Sequence, residues 1–73
     1  MAKSVKYCIE NTTEDIIVSL SKTRCMIRYR KGPTGLLVFH MRGDEGAPIR
    51  QAEFHARAKQ LANERAKALG WIH

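Results

Sequence analysis

The sequence predicts a small α+β domain, in which an antiparallel β-sheet of two to four strands packs against one C-terminal α-helix. Three observations lead to this fold class. Apolar and polar residues alternate over three short segments, a Gly- and Pro-containing turn cluster separates the last two of them, and the C-terminal third is rich in strong helix formers. We expect residues 1–73 to form a single domain, because a chain of this length supports one core.

The N-terminal third predicts one strand and leaves the next segment open. The apolar residues of the first alternating segment are Val5, Tyr7 and Ile9. The β-branched residues 16–18 favour a second strand that pairs back onto the first. However, Thr12 and Asp15 also have the spacing of a helix capping box. Residues 12–21 are therefore predicted as a strand, with a helix as the alternative.

Residues 23–30 and 36–42 predict a β-hairpin around the turn cluster at residues 31–35. Since side chains alternate between the two faces of a strand, one face of each arm is expected to meet the core. The expected core positions are Cys25, Ile27, Tyr29, Leu37, Phe39 and Met41. The opposite face is expected to be a basic outer surface formed by Arg24, Arg28, Arg30, His40 and Arg42.

Residues 49–69 predict an amphipathic helix, with Pro48 at its entry and Gly70 as the residue that ends it. Trp71 and Ile72 are expected to fold back against the end of the helix. At about 100° per residue, one arc of the helix collects its apolar side chains. The members of that arc are Phe54, Ala58, Leu61, Ala62 and Leu69.

The charge is concentrated in one part of the chain. Thirteen Lys or Arg against seven Asp or Glu give a formal net charge of +6, and residues 24–43 contain five basic residues without one acid. Such a field attracts nucleic acid or an acidic protein surface. A solvated strand face that protects a sheet edge is the alternative, but it would usually mix signs. The predicted binding residues are Arg24, Arg28, Arg30, Lys31, His40 and Arg42.

Sequence motifs give no support for catalysis or for a cofactor. Neither a Gly-x-Ser-x-Gly elbow nor a phosphate-binding Gly-rich loop is present. Asp44 and Glu45 are interpreted as turn acids. The residues that could bind a metal lack the close pairs of zinc modules: they are Cys8, Cys25, His40 and His55. We therefore expect no enzyme, no metal, no cofactor and no small-molecule substrate.

The predicted setting is the cytoplasm. No apolar run approaches the ~20 residues of a membrane span, and the N-terminus does not have the pattern of a signal peptide. We expect a soluble protein, monomeric when free, with both cysteines reduced.

Three resemblances bear on function. Residues 29–33, followed by Phe39 and the Ala- and Lys-rich helix, resemble part of a double-stranded-RNA-binding domain. A three-stranded sheet with one C-terminal helix is similar in architecture to the sheet-reading DNA-binding domains of phage integrases. In length, basic charge and absence of enzyme motifs, the chain resembles small phage-encoded regulators of host RNA polymerase.

The last resemblance implies a non-enzymatic factor in the host cytoplasm. Such a factor binds host RNA polymerase near the RNA exit channel, suppresses termination and inhibits initiation. Direct DNA or RNA binding through the basic hairpin is the alternative function. The strand edge at Val5, Tyr7 and Ile9 is also expected to be able to add a partner's strand by β-augmentation.

Overall fold

The computed structural model describes residues 6–72, which form a four-stranded sheet and a C-terminal helix. The elements are β1 (Tyr7–Asn11), β2 (Asp15–Leu20), β3 (Met26–Lys31), β4 (Leu36–Arg42) and α1 (Gln51–Ala68). The strand order is β1-β2-β3-β4, and every neighbouring pair is antiparallel. The predicted α+β class is confirmed.

The segment left open between strand and helix is mainly the strand β2. Thr12 closes the turn before it, because its Oγ1 accepts a hydrogen bond from the Asp15 N–H at 3.0 Å and its own N–H donates to the Asp15 carbonyl at 2.8 Å. The Thr–Asp spacing that resembles a capping box therefore serves a β-turn. The chain continues as a strand, since Ile16 and Val18 are fully buried against the helix side of the sheet.

The predicted hairpin is confirmed as β3 and β4, joined by residues 32–35. The Gly32 N–H donates to the Gly35 carbonyl at 2.7 Å. Gly35 has φ +150°, which side-chain-bearing residues rarely adopt. A Cβ on Gly32 would lie 2.8 Å from the Gly35 carbonyl oxygen, so the turn requires glycine at both positions.

The helix α1 ends as predicted. Gly70 has φ +79°, its N–H donates to the Lys67 carbonyl at 3.1 Å, and the Trp71 N–H donates to the Ala66 carbonyl at 2.8 Å. This pair of bonds is a Schellman motif. Trp71 and Ile72 are half-buried and pack against the core, as expected for the apolar contact of such a cap.

The buried stripe of α1 differs from the predicted arc. Leu61 is only partly buried and Leu69 is exposed, whereas Ala66 is fully buried. The stripe follows i, i+4 spacing through residues whose small side chains let the helix lie close to the sheet. Its members are Phe54, Ala58, Ala62 and Ala66.

The core lies between α1 and the two central strands. Phe54 is fully buried and stacks on Tyr7 with 6.0 Å between the ring centroids. The buried sheet residues are Ile16, Val18, Leu20, Cys25, Ile27 and Tyr29. Burial raises the pKa of the Tyr29 phenol above its ordinary value of 10.0.

The expectation that β4 contributes to the core is wrong for Leu37 and Phe39, and Met41 is also largely exposed. One reason is that α1 packs on β2 and β3 and leaves β4 uncovered. The second reason is a β-bulge: Val38 pairs with Tyr29 and His40 pairs with Arg28, so the intervening Phe39 has no partner on β3. A bulge interrupts the alternation from which the core positions were predicted.

Candidate functional site

The open face of the sheet, on the side away from α1, carries most of the predicted basic residues. The β3–β4 register pairs Arg28 with His40 and Met26 with Arg42, while Arg30 pairs with Leu37. We use the name open face for the exposed or partly exposed side chains of this hairpin together with the neighbouring carboxylate. Its members are Asp15, Met26, Arg28, Arg30, Leu37, Phe39, His40 and Arg42.

An acidic residue that sequence reasoning missed lies in this face. Asp15 of β2 is nearly buried, and its two carboxylate oxygens face two different arginines. Oδ1 accepts a hydrogen bond from Arg30 Nε at 3.0 Å, and Oδ2 lies 3.3 Å from Arg28 Nε. The hydrogen bond to Asp15 raises the pKa of the Arg30 guanidinium.

The absence of acids within residues 24–43 therefore did not predict the charge of the face. Strand pairing aligns Asp15 directly with Arg30, so the acid comes from outside that segment. The alternation of β2 contained the signal: once Ile16, Val18 and Leu20 face the core, Asp15 must face the other side.

Phe39 also belongs to the open face. The Arg30 guanidinium carbon lies 3.8 Å from the centroid of the Phe39 ring, which is cation–π contact. Arg30 is thus held between a carboxylate and an aromatic ring. The bulge that places Phe39 here has no clear signal in the sequence, because residues 36–39 are all apolar.

The remaining predicted site residues are dispersed. Arg24 is exposed in the turn before β3, where its N–H donates to Asp44 Oδ2 at 2.9 Å. Lys31 pairs with Leu36, and its Nζ lies 6.0 Å from the centroid of the Trp71 ring. Lys31 therefore lies towards the helix side, away from the open face.

A groove that was not predicted lies on the other side of β4. It has a volume of about 230 Å³ and runs between β4 and α1. The sheet supplies an apolar wall, while His55, Lys59 and Asn63 of α1 supply a polar one. The apolar wall consists of Ile27, Tyr29, Leu36, Val38 and Met41. The continuous apolar run at residues 36–39 is a sequence signal for a strand that is apolar on both faces.

The predicted augmentation edge lies at the opposite end of the sheet. Among the strands of residues 6–72, β1 lies at the edge of the sheet and has β2 as its neighbour. Tyr7 and Ile9 are half-buried and pack against the core, and Val5 lies outside the described residues. Cys8 of the same strand is an exposed free thiol, whereas the free thiol of Cys25 is buried.

Within residues 6–72, no group of three or more His, Cys, Asp or Glu side chains has the proximity that a metal ion needs. No helix in the described part of the chain is long and apolar enough to cross a membrane. Comparison with protein-family models, with curated proteins and with solved structures finds no match.

Proposed function

We propose that this protein is a non-enzymatic transcription regulator that docks on host RNA polymerase. The resemblance to small phage regulators supplies the partner and the place, near the RNA exit channel. It also supplies the consequence, antitermination together with inhibition of initiation. The geometry supports a docking role through the uncovered strand β4.

The observation that carries the proposal is the exposure of large apolar side chains beside arginines on one strand. Their exposed fractions are Leu37 56%, Val38 54%, Phe39 53% and Met41 45%. Adjacent exposed apolar side chains of this kind are typical of protein interfaces, where aromatic residues, Met and Arg are enriched. Binding to phosphates alone does not require them.

The groove beside β4 fits an acidic, partly apolar segment of the partner. Its apolar wall can take one large apolar side chain, and Lys59 on the α1 wall is placed to meet a carboxylate. Electrostatic complementarity of this kind, with a net charge of +6, speeds association and selects acidic partners. The β1 edge at Tyr7 and Ile9 remains a second place where a partner's strand could add.

Direct DNA or RNA binding is the alternative, and the two central arginines favour it. Arg30 Nε donates a hydrogen bond to Asp15 and Arg28 Nε lies 3.3 Å from the same carboxylate, whereas the terminal amino groups of both guanidiniums make no hydrogen bond within residues 6–72. Such groups donate bidentately to phosphates. Protein docking is preferred as the primary function because it also accounts for the apolar side chains of β4.

Affinity capture from nuclease-treated bacterial lysates tests the proposal. We expect the tagged protein to retain RNA polymerase subunits, identified by mass spectrometry, and to increase read-through of an intrinsic terminator by the captured polymerase in vitro. Val38→Ala should reduce both effects without changing the melting curve.

The matched control is Leu69→Ala, which truncates an exposed apolar side chain at the end of α1, away from the groove and the open face. It should leave capture and read-through unchanged. Absence of polymerase from the captured material, with binding restored only by adding nucleic acid, would refute the proposal in favour of the alternative.

A further inference from the structure

A carboxylate with little solvent exposure lies beneath the two central arginines of the open face. Asp15 is only 6% exposed, although α1 covers the other side of the sheet. Each of its oxygens serves one arginine: Oδ1 binds Arg30 Nε and Oδ2 faces Arg28 Nε. Arg30 is therefore hydrogen-bonded to this carboxylate, and Arg28 is held beside it by an ion pair.

This attachment leaves the outer edges of both guanidiniums available. No hydrogen bond joins their terminal amino groups to an atom of residues 6–72, and only the Arg28 Nε is both buried and without a hydrogen bond there. The side chains of Arg28 and Arg30 are 37% and 42% exposed. Because a guanidinium is a rigid fork, the hydrogen bond from Arg30 Nε to Asp15 also fixes the direction of the remaining Arg30 donors.

Neighbouring side chains restrict the orientation of Arg30 and place further hydrogen-bond donors beside the two arginines. Phe39 holds the plane of Arg30 through a contact of 3.8 Å from the guanidinium carbon to the ring centroid. His40 lies opposite Arg28 in the register, and Arg42 follows two residues later on the same strand. Donors from both arms of the hairpin thus form a row on one surface.

We propose that Arg28 and Arg30, positioned by Asp15, form a clamp for the phosphodiester backbone of nucleic acid. A backbone presents oxyanions in a continuous row that matches the row of donors. Proteins follow such a backbone with a basic surface whose side chains contact successive phosphates. Asp15 offsets one of the two positive charges, so the clamp acts through donor geometry more than through net charge.

The clamp rests on the proposed function for its setting, a transcribing polymerase with RNA and DNA close to the docking surface. Its test needs no polymerase. Fluorescence anisotropy with labelled oligonucleotides, about 12 nucleotides of single-stranded RNA or a DNA duplex of equal length, measures the affinity and its salt dependence. The two probes show which nucleic acid supplies the phosphodiester.

The decisive variants are Asp15→Asn and Glu14→Gln. Both raise the formal net charge by one, from +6 to +7, but only Asp15 touches the arginines; Glu14 is an exposed neighbour. We expect Asp15→Asn to weaken oligonucleotide binding roughly tenfold, because the donors lose their common attachment. Glu14→Gln should tighten binding slightly. If both variants tighten it equally, the surface attracts phosphates by charge alone and the clamp is refuted.

Arg30→Lys tests the same point if Asp15→Asn fails to fold. Lysine keeps the positive charge, but its single ammonium group cannot replace both the Nε donor that binds Asp15 and the planar pair of terminal amino groups. We therefore expect weaker oligonucleotide binding. Arg28→Ala should reduce the slope of log affinity against log salt by about one. Unchanged binding by Arg30→Lys would overturn the clamp.

An acidic peptide competitor completes the test. If an oligoglutamate of equal charge binds as tightly as the oligonucleotides and responds equally to Arg30→Lys, the ligand is a carboxylate and the phosphodiester proposal is wrong. The outcomes also separate the two proposals. Oligonucleotide binding that responds to these variants, without polymerase capture, refutes only the docking function, and the reverse result refutes only the clamp.

Discussion

The two phenylalanines of the chain lie in opposite environments. Phe54 on α1 is fully buried and stacks on Tyr7, whereas Phe39 on β4 is half-exposed and contacts the Arg30 guanidinium. Burial of apolar surface is the main favourable contribution to folding. The comparison therefore separates a covered region, α1 with β2 and β3, from the uncovered strand β4, whose side chains are available for binding.

The largest expected effect comes from making the same truncation in both regions. Phe54→Ala should lower the free energy of unfolding by about 3–5 kcal/mol, because it leaves a cavity in the core. A domain of this size has a total stability of roughly 4–11 kcal/mol, so this loss brings the protein close to unfolding. Phe39→Ala should cost only about 0.5–1 kcal/mol, the value of an exposed cation–π contact.

Urea denaturation followed by circular dichroism measures both losses. Phe39→Ala should also weaken polymerase capture, whereas Phe54→Ala affects it only through unfolding. Equal losses of stability would break the distinction between a covered and an uncovered region, because Phe39 would then act as a core residue.

A second prediction concerns the close contact of α1 with the sheet. Ala62 is fully buried in the small-residue stripe, and Ala62→Leu should overpack this contact and destabilise the protein by about 1–3 kcal/mol. The matched control is Ala56→Leu, which places the same side chain on an exposed position of the same helix. It should change stability by no more than about 0.5 kcal/mol.

Thermal denaturation distinguishes the two leucine variants. If Ala62→Leu has the same melting temperature as the wild type, the helix can move away from the sheet without a loss of stability. The covered region would then be less tightly packed than the burial of the alanine stripe indicates.

Local sequence patterns predicted the secondary-structure elements better than they predicted the environments of individual side chains. The hairpin, the helix and its Gly70 cap depend on alternation, helix propensity and turn chemistry, which act over a few residues. The environments of Asp15 and Phe39 depend on non-local features. Asp15 meets Arg30 only through the register of β2 and β3, and Phe39 reaches the open face only through a bulge.

The candidate site was accordingly predicted in part. Arg28, Arg30, His40 and Arg42 lie on one hairpin surface because strand alternation holds through β3 and after the bulge. Lys31 does not join them, since it falls on the helix side of the same alternation. The apolar groove was missed because the sequence could not indicate that α1 covers only part of the sheet.

The smallest expected effect concerns the end of β4, which polar bonds hold in place. The Asp44 carboxylate accepts hydrogen bonds from the Arg24 N–H and the Gly46 N–H, each at 2.9 Å. These bonds keep the pKa of Asp44 below its ordinary value of 3.8. Because the folded-state pKa is the lower one, the stabilisation is fully present above the unfolded-state pKa and is lost as the pH falls through the folded-state value.

Asp44→Asn should therefore melt at a lower temperature than the wild type at neutral pH, and the difference should shrink as the pH is lowered below the ordinary aspartate pKa of 3.8. Glu45→Gln is the control, because this adjacent exposed acid makes no hydrogen bond to the rest of residues 6–72; it should show no such pH-dependent difference. If Asp44→Asn has the same melting temperature as the wild type at every pH, the Asp44 carboxylate does not stabilise the end of β4. The uncovered strand would then depend on its pairing with β3 alone, which would sharpen its contrast with the covered region.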